Sequence, residues 1–396
     1  MAIERITSRE KKYVLEVLDS QFRTSMSSMM IKKLEEKFAE KFKTRFAISF
    51  INGTATMHAA LKAAGIGLGD EVIVPPLTMA STSFAVLHAG ATPVFADIDP
   101  DCWTIDPLSI KKCVTNRTKA IIPVAIYGLL PDYDKIMEIA RKNNFFVLED
   151  DAQCFLGYYK KKIGGSIGHA ASFSFQSSKQ MTSGEGGMIT TNDEVLANNI
   201  RRFNSLGYSS VKAGAGKGKI SKDIIQDPNY ERHATIGWNY RMPELCAAVA
   251  LGQLEHLDDL VEMRKKIARE YEKIVKGCSW LIPQYVPHGY VHSYWSFVLK
   301  LDNENRFTWF DFRKKYLEFG GDGIYGAWLL TYLEPAFREK QFDKNQTQVF
   351  RKGLCKNAED LQPKLLQFKT NYFSEDRIHK ATAALGKSIE YFDKVM

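Results

Sequence analysis

The sequence predicts an α/β protein: a large domain on a mostly parallel sheet flanked by helices, then a smaller α+β domain. Three observations predict it. Short apolar runs alternate with helical stretches from Phe46 to Leu148, and strands in such alternation form a parallel sheet covered on both faces. The chain has 396 residues, too many for one small core. Beyond about residue 250 the alternation gives way to mixed short strands and helices.

The elements follow in order. Stretches 8–22 and 30–44 place apolar residues at helical spacing among Lys and Glu, so both are expected to be amphipathic helices. Phe46 to Phe50 is a short apolar strand, followed by Asn52-Gly53-Thr54 and a helix over Ala55 to Ala64. Glu71 to Val74 is a strand that ends at Pro75-Pro76. A helix near Thr82 to His88 and strands at Pro93 to Asp97 and Ala120 to Ala125 come next. A helix over Asp134 to Lys142 and a strand at Phe145 to Leu148 complete the series. Residues 207–236 form a long loop rich in Gly, Lys and Asp, a length that usually serves function or motion. Pro243 opens a helical stretch running to about Val275, because proline suits the first turn of a helix. The domain boundary is placed in this helix, giving a large domain over 1–250 and a small one over 251–396.

Composition narrows the function. Hydrophobic residues make up 45% and charged residues 25%, as in ordinary soluble globular proteins. Lys plus Arg exceeds Asp plus Glu by 54 − 46 = 8. That excess favours a phosphorylated ligand, although most of these lysines read as solvated surface. No basic block with interleaved aromatics points to nucleic acid. The six cysteines form no C-x-x-C pair and no zinc spacing, which fits a reducing compartment. The eight histidines form no i, i+4 pair, so no metal is expected. The N-terminus has no signal-peptide run, and no stretch approaches the roughly 18 apolar residues of a spanning helix. The expectation is a cytoplasmic protein without a membrane partner.

Three segments carry chemistry. Ser172-Phe173-Ser174-Phe175-Gln176-Ser177-Ser178-Lys179 ends a Ser-rich apolar strand and precedes Gly184-Glu185-Gly186-Gly187. A Schiff-base lysine needs such shelter, with its amine neutral part of the time; an exposed lysine beside a turn is the plainer alternative. Val147-Leu148-Glu149-Asp150-Asp151-Ala152-Gln153 is a strand end with carboxylates, and ligands of open α/β sheets bind beyond such ends. An aspartate there suits the pyridinium nitrogen of an electron-sink cofactor, and the small Ala152 would admit a flat ring; a helix N-cap is the plainer role for Asp150. Asn52-Gly53-Thr54-Ala55 stands at a strand-to-helix junction. A helix N-terminus there offers N–H groups to a phosphate, or is simply capped.

Together with Gly65 to Pro75, Asp97-Ile98-Asp99-Pro100 and Asn239-Tyr240-Arg241-Met242, these segments resemble the sugar aminotransferases of the DegT/DnrJ/EryC1/StrS group. The resemblance spans about residue 10 to about residue 345. It implies a pyridoxal 5'-phosphate (PLP) enzyme of fold type I that moves an amino group from glutamate or glutamine to a keto-sugar, most often a nucleotide-linked one. It implies Lys179 as the lysine that bonds the cofactor and shuttles protons, and Asp150 as the partner of the pyridine nitrogen. Ala152 lies against the ring, and Gln153 bonds near the ring hydroxyl. Ser174, Gly53, Thr54 and Ala55 hold the phosphate. Asn239 reaches the phosphate from a neighbouring subunit, which makes the active site a shared one in a homodimer. Arg241, His292, Tyr294 and Trp328 are implied substrate contacts; the cluster that also holds Trp295 and Tyr332 reads equally as core.

One position departs from the pattern. Met79 stands where the group usually has an aromatic residue stacked on the cofactor ring, and its thioether can still pack on an aromatic face. The Ser-Phe-Gln-Ser-Ser-Lys wording resembles the branch acting on inosose-type ketocyclitols, an alternative substrate class. A dehydratase using pyridoxamine phosphate on the same fold is a second alternative, opposed by Lys179 where those enzymes carry His. A non-catalytic regulatory member of the fold is a third, opposed by the intact Lys179, Asp150 and Gln153. Gly65-Ile66-Gly67-Leu68-Gly69 follows a helix and precedes a strand, the reverse of a dinucleotide fingerprint. Gly214 to Lys219 resembles a Walker loop but has Ala213 for the leading Gly and Ile220 for Ser or Thr.

Overall fold

Val72 and Val74 pack to one side of their strand and Ile73 to the other, as residues of a strand buried on both faces must. In the computed structural model, which describes residues 4–22, 29–214, 221–302 and 306–395, that pattern belongs to a seven-stranded sheet.

The chain opens with helices α1 (Ser8–Asp19) and α2 (Met29–Lys41). Thr7 and Glu10 cap α1 reciprocally, satisfying its first free N–H groups. Next come β1 (Phe46–Phe50), α3 (Gly53–Ala63), β2 (Glu71–Val74), α4 (Ser81–His88) and β3 (Thr92–Phe95). Then follow α5 (Pro107–Cys113), β4 (Thr118–Ile121), α6 (Tyr133–Asn143) and β5 (Phe146–Asp150). A small hairpin, β6 (Tyr158–Tyr159) and β7 (Lys162–Ile163), leads into β8 (Ala170–Ser174), β9 (Gly187–Thr191) and α7 (Glu194–Asn204).

The sheet order is β1-β9-β8-β5-β4-β2-β3. Only β9 opposes the rest: it is antiparallel to both β1 and β8. The carboxyl ends of β1, β2, β5 and β8 therefore share one edge of the sheet. Helices α3, α4 and α7 cover one face through residues such as Leu61, Val86 and Ile200. On the other side, Ile110 of α5 and Ile136 and Ile139 of α6 meet Ile73, Ile121 and Val147. Phe38 of α2 and Phe42, just past its end, stack on each other and contact Phe173 of β8.

The stretch after α7 doubles back on itself. Ser209 N–H donates to Arg232 O at 2.9 Å, and Ala234 N–H to Gly207 O at 2.8 Å. Gly207 has φ +73°, and a Cβ there would meet Thr235 O at 1.7 Å, so this crossing needs glycine. The expected featureless loop carries a short helix, α8 (Lys222–Gln226). Of the Walker-like run, residues 215–219 lie outside the described residues.

The helix expected from Pro243 to about Val275 is two: α9 (Glu244–Glu255) and α10 (Leu257–Val275). His256 takes φ −125° and breaks the helical path. Its buried ring reaches back over the preceding turn, where Nδ1–H donates to Gly252 O at 2.8 Å. The remaining elements are β10 (Leu281–Pro283), β11 (Tyr290–Val291), β12 (Ser296–Leu301), α11 (Trp309–Glu318), α12 (Lys356–Leu361), β13 (Leu365–Lys369) and α13 (Glu375–Asp393). β10, β12 and β13 form an antiparallel sheet. Its core joins Phe297 and Phe368 to Tyr271 of α10 and Leu385 of α13. Within 327–361 the chain returns to the large sheet, where Tyr332, Phe337 and Phe350 ring Phe95 of β3. Among the described residues no helix is long and apolar enough to cross a membrane.

Candidate active site

The acidic strand end sorts its three carboxylates by position. Glu149 is fully buried and accepts N–H groups of Gly165, Ile167 and Gly168 at 3.0, 2.7 and 2.7 Å; it holds a turn. Asp151 is buried, with no hydrogen-bond partner for either oxygen among the described residues, and burial, aided by the Glu149 and Asp150 charges, pushes its carboxyl well up, toward the neutral acid. Asp150, the last residue of β5, turns to the carboxyl edge. Thr82 Oγ1 of α4 donates to its Oδ2 at 2.7 Å, and Ala152 N–H to its Oδ1 at 3.3 Å. No helix follows Asp150, so it caps none. Burial raises its proton affinity, while Thr82, Ala152 and the Lys179 charge pull the other way. A carboxylate so placed gains most from a cationic partner.

Lys179 lies five residues past the end of β8, and β8 is the direct neighbour of β5 (Asp150 pairs with Ser172). Burial lowers its amine to about 8, with the Asp150 charge opposing and Arg264 adding to the fall. Each charge thus favours the ionised form of the other. The backbone of Lys179 is pinned from the small sheet's side. Arg264 of α10, 2% exposed, donates to Ser178 O at 3.0 Å, Lys179 O at 2.9 Å and Trp295 O at 2.8 Å. Trp295 Nε1–H donates to Ser178 O at 3.1 Å.

The third component is the opening of α3. Asn52 Oδ1 accepts the Ala55 N–H at 2.8 Å, so the cap is real, and it uses one of the four unpaired N–H groups of a helix start. Gly53 packs against β8: a Cβ there would come within 3.0 Å of Ser174 Cβ. Gly187 is tighter still, since a Cβ would sit 2.7 Å from the Asn52 backbone. Both glycines bring the helix N-terminus against Ser174. The hydroxyls of Thr56 and Ser172, 2.5 Å apart, tie α3 to β8 beneath.

A profile of the DegT/DnrJ/EryC1/StrS aminotransferase family matches residues 4–370. The chain belongs to that family. It is 38% identical over 290 residues to a GDP-perosamine synthase of Escherichia coli O157:H7, covering 73% of this chain and 74% of that protein. It is 35% identical to a UDP-2-acetamido-2-deoxy-3-oxo-D-glucuronate aminotransferase of Pseudomonas aeruginosa, covering 69% and 71%. Among solved structures, an aminotransferase from Psychrobacter cryohalolentis superposes with a TM-score of 0.84 over 98% of each chain at 29% identity. The fold is therefore that of the aminotransferases.

Other residues expected at this aminotransferase's site fall in different places. Gln153 is buried; its Oε1 accepts Tyr127 N–H at 2.7 Å, which leaves the Nε2 donor of the amide for another partner. Met79 is half exposed at 50%, just before α4. Trp328 stacks on Trp295, centroids 5.8 Å apart, and both line a cavity of about 400 Å³ with Ser178, Arg264, Tyr325 and Gln367. His292 and Tyr294 do not line that cavity. They stack on each other at 4.0 Å and border a separate cleft of about 860 Å³ beside Lys265 and Glu272. His292 bonds Gln284 and the Tyr294 N–H, and burial drops its imidazole to about 3. Tyr332 is fully buried in the large core. Asn239 is exposed, next to the exposed Ile236 and Trp238. Arg241 has a buried Nη1 with no partner among the described residues.

Sequence reasoning missed Thr82 and Arg264. The hydroxyl run Ser81-Thr82-Ser83 opening α4 was a usable signal for the first. Arg264 sits in Met263-Arg264-Lys265-Lys266, where it reads as one more solvated cation.

Proposed function

We propose that the chain is a PLP-dependent aminotransferase that moves an amino group from glutamate or glutamine to a keto-sugar carried on a nucleoside diphosphate. The observation that carries this reading is the pair formed by Lys179 and Asp150, at the ends of adjacent strands and within range of each other's charge. A lysine amine, a buried carboxylate, a helix N-terminus and the Ser174 hydroxyl at one sheet edge fit a phosphorylated pyridine aldehyde. The glycine contacts at Gly53 and Gly187 leave the phosphate end no room for larger side chains. When bound, PLP supplies a protonated ring that withdraws the electron pair released at the donor's α-carbon.

The chain's own residues do the rest. Asp150 keeps a proton on the ring nitrogen. Gln153, fixed through Tyr127, presents its amide Nε2. The α3 N–H groups, Thr54 and Ser174 hold the phosphate. Lys179 Nζ takes the proton from the donor's α-carbon and later returns one to the carbon that receives the amine. An amine lowered to about 8 is partly neutral at physiological pH, as a general base must be. The donor leaves as a 2-oxo acid, and the ketone carbon gains the nitrogen.

The nucleotide-linked substrate is supported by the GDP- and UDP-sugar names of the two relatives. A homodimer with shared sites is supported by the exposed apolar residues Met79, Ile236 and Trp238, which suit burial against a second copy. Asn239 of each protomer then serves the other's phosphate. The six cysteines are all free thiols, which supports a cytoplasmic setting.

The test incubates the purified protein with PLP, L-glutamate and a GDP- or UDP-linked keto-hexose. Formation of 2-oxoglutarate with a matching amino-sugar nucleotide is the expected result. Turnover confined to free ketocyclitols, or dehydration without amino transfer, contradicts the reading.

A further inference from the structure

Transfer of an amino group requires Lys179 to leave the cofactor and come back. The structure shows what faces its amine when it is free. Nζ lies over the indole of Trp295, 4.8 Å from the ring centroid. Trp328 stacks on the same indole, with an interplanar angle of 22°, which restrains the ring. Trp295 Nε1–H bonds Ser178 O, one residue before the lysine. Arg264 bonds both the Lys179 and the Trp295 carbonyls. One guanidinium therefore sets the separation between the lysine's backbone and the ring its amine rests on. Thr370 Oγ1, which accepts from Arg264 at 3.2 Å and donates to Trp295 O at 2.9 Å, closes the same network.

The negative face of an indole attracts an ammonium, more strongly than any other side-chain ring does. It offers no proton acceptor, so it steadies the charge without taking the proton. We infer that the Trp295 face is the dock for the Lys179 amine whenever the lysine is not bonded to the cofactor, which makes Trp295 a positioning residue of the transfer. The inference rests on the proposed role of Lys179. The dock keeps the amine beside the reacting carbon instead of in solvent, and it offsets part of the burial that drives the amine toward its neutral form. The charged groups acting on this amine are Asp150 across the site, Arg264 on α10 and Glu185 in the turn after it.

The test uses protein loaded with pyridoxamine phosphate, in which Lys179 is free. Its reactivity toward acetic anhydride is followed against pH by mass spectrometry of the Lys179 peptide. Trp295→Leu is expected to lower the titration midpoint by about half to one pH unit, with Trp295→Phe between. In a separate measurement on protein loaded with pyridoxal phosphate, the single-turnover rate with glutamate should fall about threefold to tenfold in Trp295→Leu and recover in Trp295→Phe. Trp295→Phe conserves the packing and keeps the comparison open if the leucine variant folds poorly. An unchanged or raised midpoint in either variant overturns the dock. A wild-type Lys179 that never bonds PLP at all would instead overturn the proposed function.

Discussion

Asp150 and Lys179, the two groups proposed to grip the cofactor from opposite walls, are held differently. Asp150 is part of the sheet. It is 3% exposed, and it takes hydrogen bonds from a helix hydroxyl and from its own turn. Nothing about it can move without moving β5. Lys179 is five residues outside the sheet and partly exposed; Arg264 from α10 holds its backbone, and its amine lies over the Trp295 indole with no hydrogen bond to it among the described residues. The contrast follows from the work proposed for each. A group that holds one proton at one ring atom benefits from rigidity. A group that bonds, releases and carries protons between carbons needs a fixed root and a free tip.

Four substitutions and a pH profile can break or sharpen that contrast. The largest effect is expected from Lys179→Ala, which removes the mobile group: turnover should fall by about 10⁴-fold or more, with loss of the lysine-bound cofactor absorbance. Full activity would remove Lys179 from the mechanism. Asp150→Asn keeps shape on the rigid wall but not charge, and kcat should fall on the order of 10²- to 10³-fold while PLP still binds. Arg264→Met should act on both stability and activity, because three backbone carbonyls lose a buried cationic donor. A loss of about 2–4 kcal/mol in urea unfolding is expected, and a stability equal to wild type would show that the lysine's root is held otherwise. Thr82→Val removes the hydroxyl that donates to Asp150 at 2.7 Å, together with its longer contact to Met79 O. A drop of about tenfold in kcat, equivalent to about 1.4 kcal/mol, is expected with unfolding little changed.

The smallest effect is the pH dependence. In the proposed reaction Lys179 acts as the neutral amine, and burial lowers that amine from its ordinary value to about 8. As pH falls through 8 the amine gains its proton and the half-reaction slows, by about fivefold between pH 8 and pH 7. A rate that rises as pH falls through this window would assign the limb to a different group.

The rigid wall was legible in the sequence and the mobile wall only in part. Strand ends, the carboxylate series and the glycines of the phosphate end are local features, so Asp150 and Gly53, unlike Gln153, which came from the family resemblance, stood out as candidates beside a plainer capping role. Lys179 was legible for the same reason. What holds its root was not: Arg264 is 85 residues away and lies in a charged run that resembles a solvent face. Thr82 reaches Asp150 across 68 residues. The break at His256 was hidden because residues on both sides have helical spacing, and only the placement of the buried ring against Gly252 reveals it. His292 and Tyr294 were candidates because the family resemblance places sugar-facing residues in this aromatic cluster. The backbone at Tyr294, with φ +48°, turns the chain there, so Trp295 lines the cavity near Lys179 and the other two border the cleft behind it.

The most direct test of the two-walled site is borohydride trapping. The protein is incubated with pyridoxal phosphate, reduced, digested and mapped by mass spectrometry. The account predicts a single phosphopyridoxyl group on the peptide containing Lys179. The same label on another lysine, or a label spread over many surface lysines with Lys179 unmodified, would contradict it.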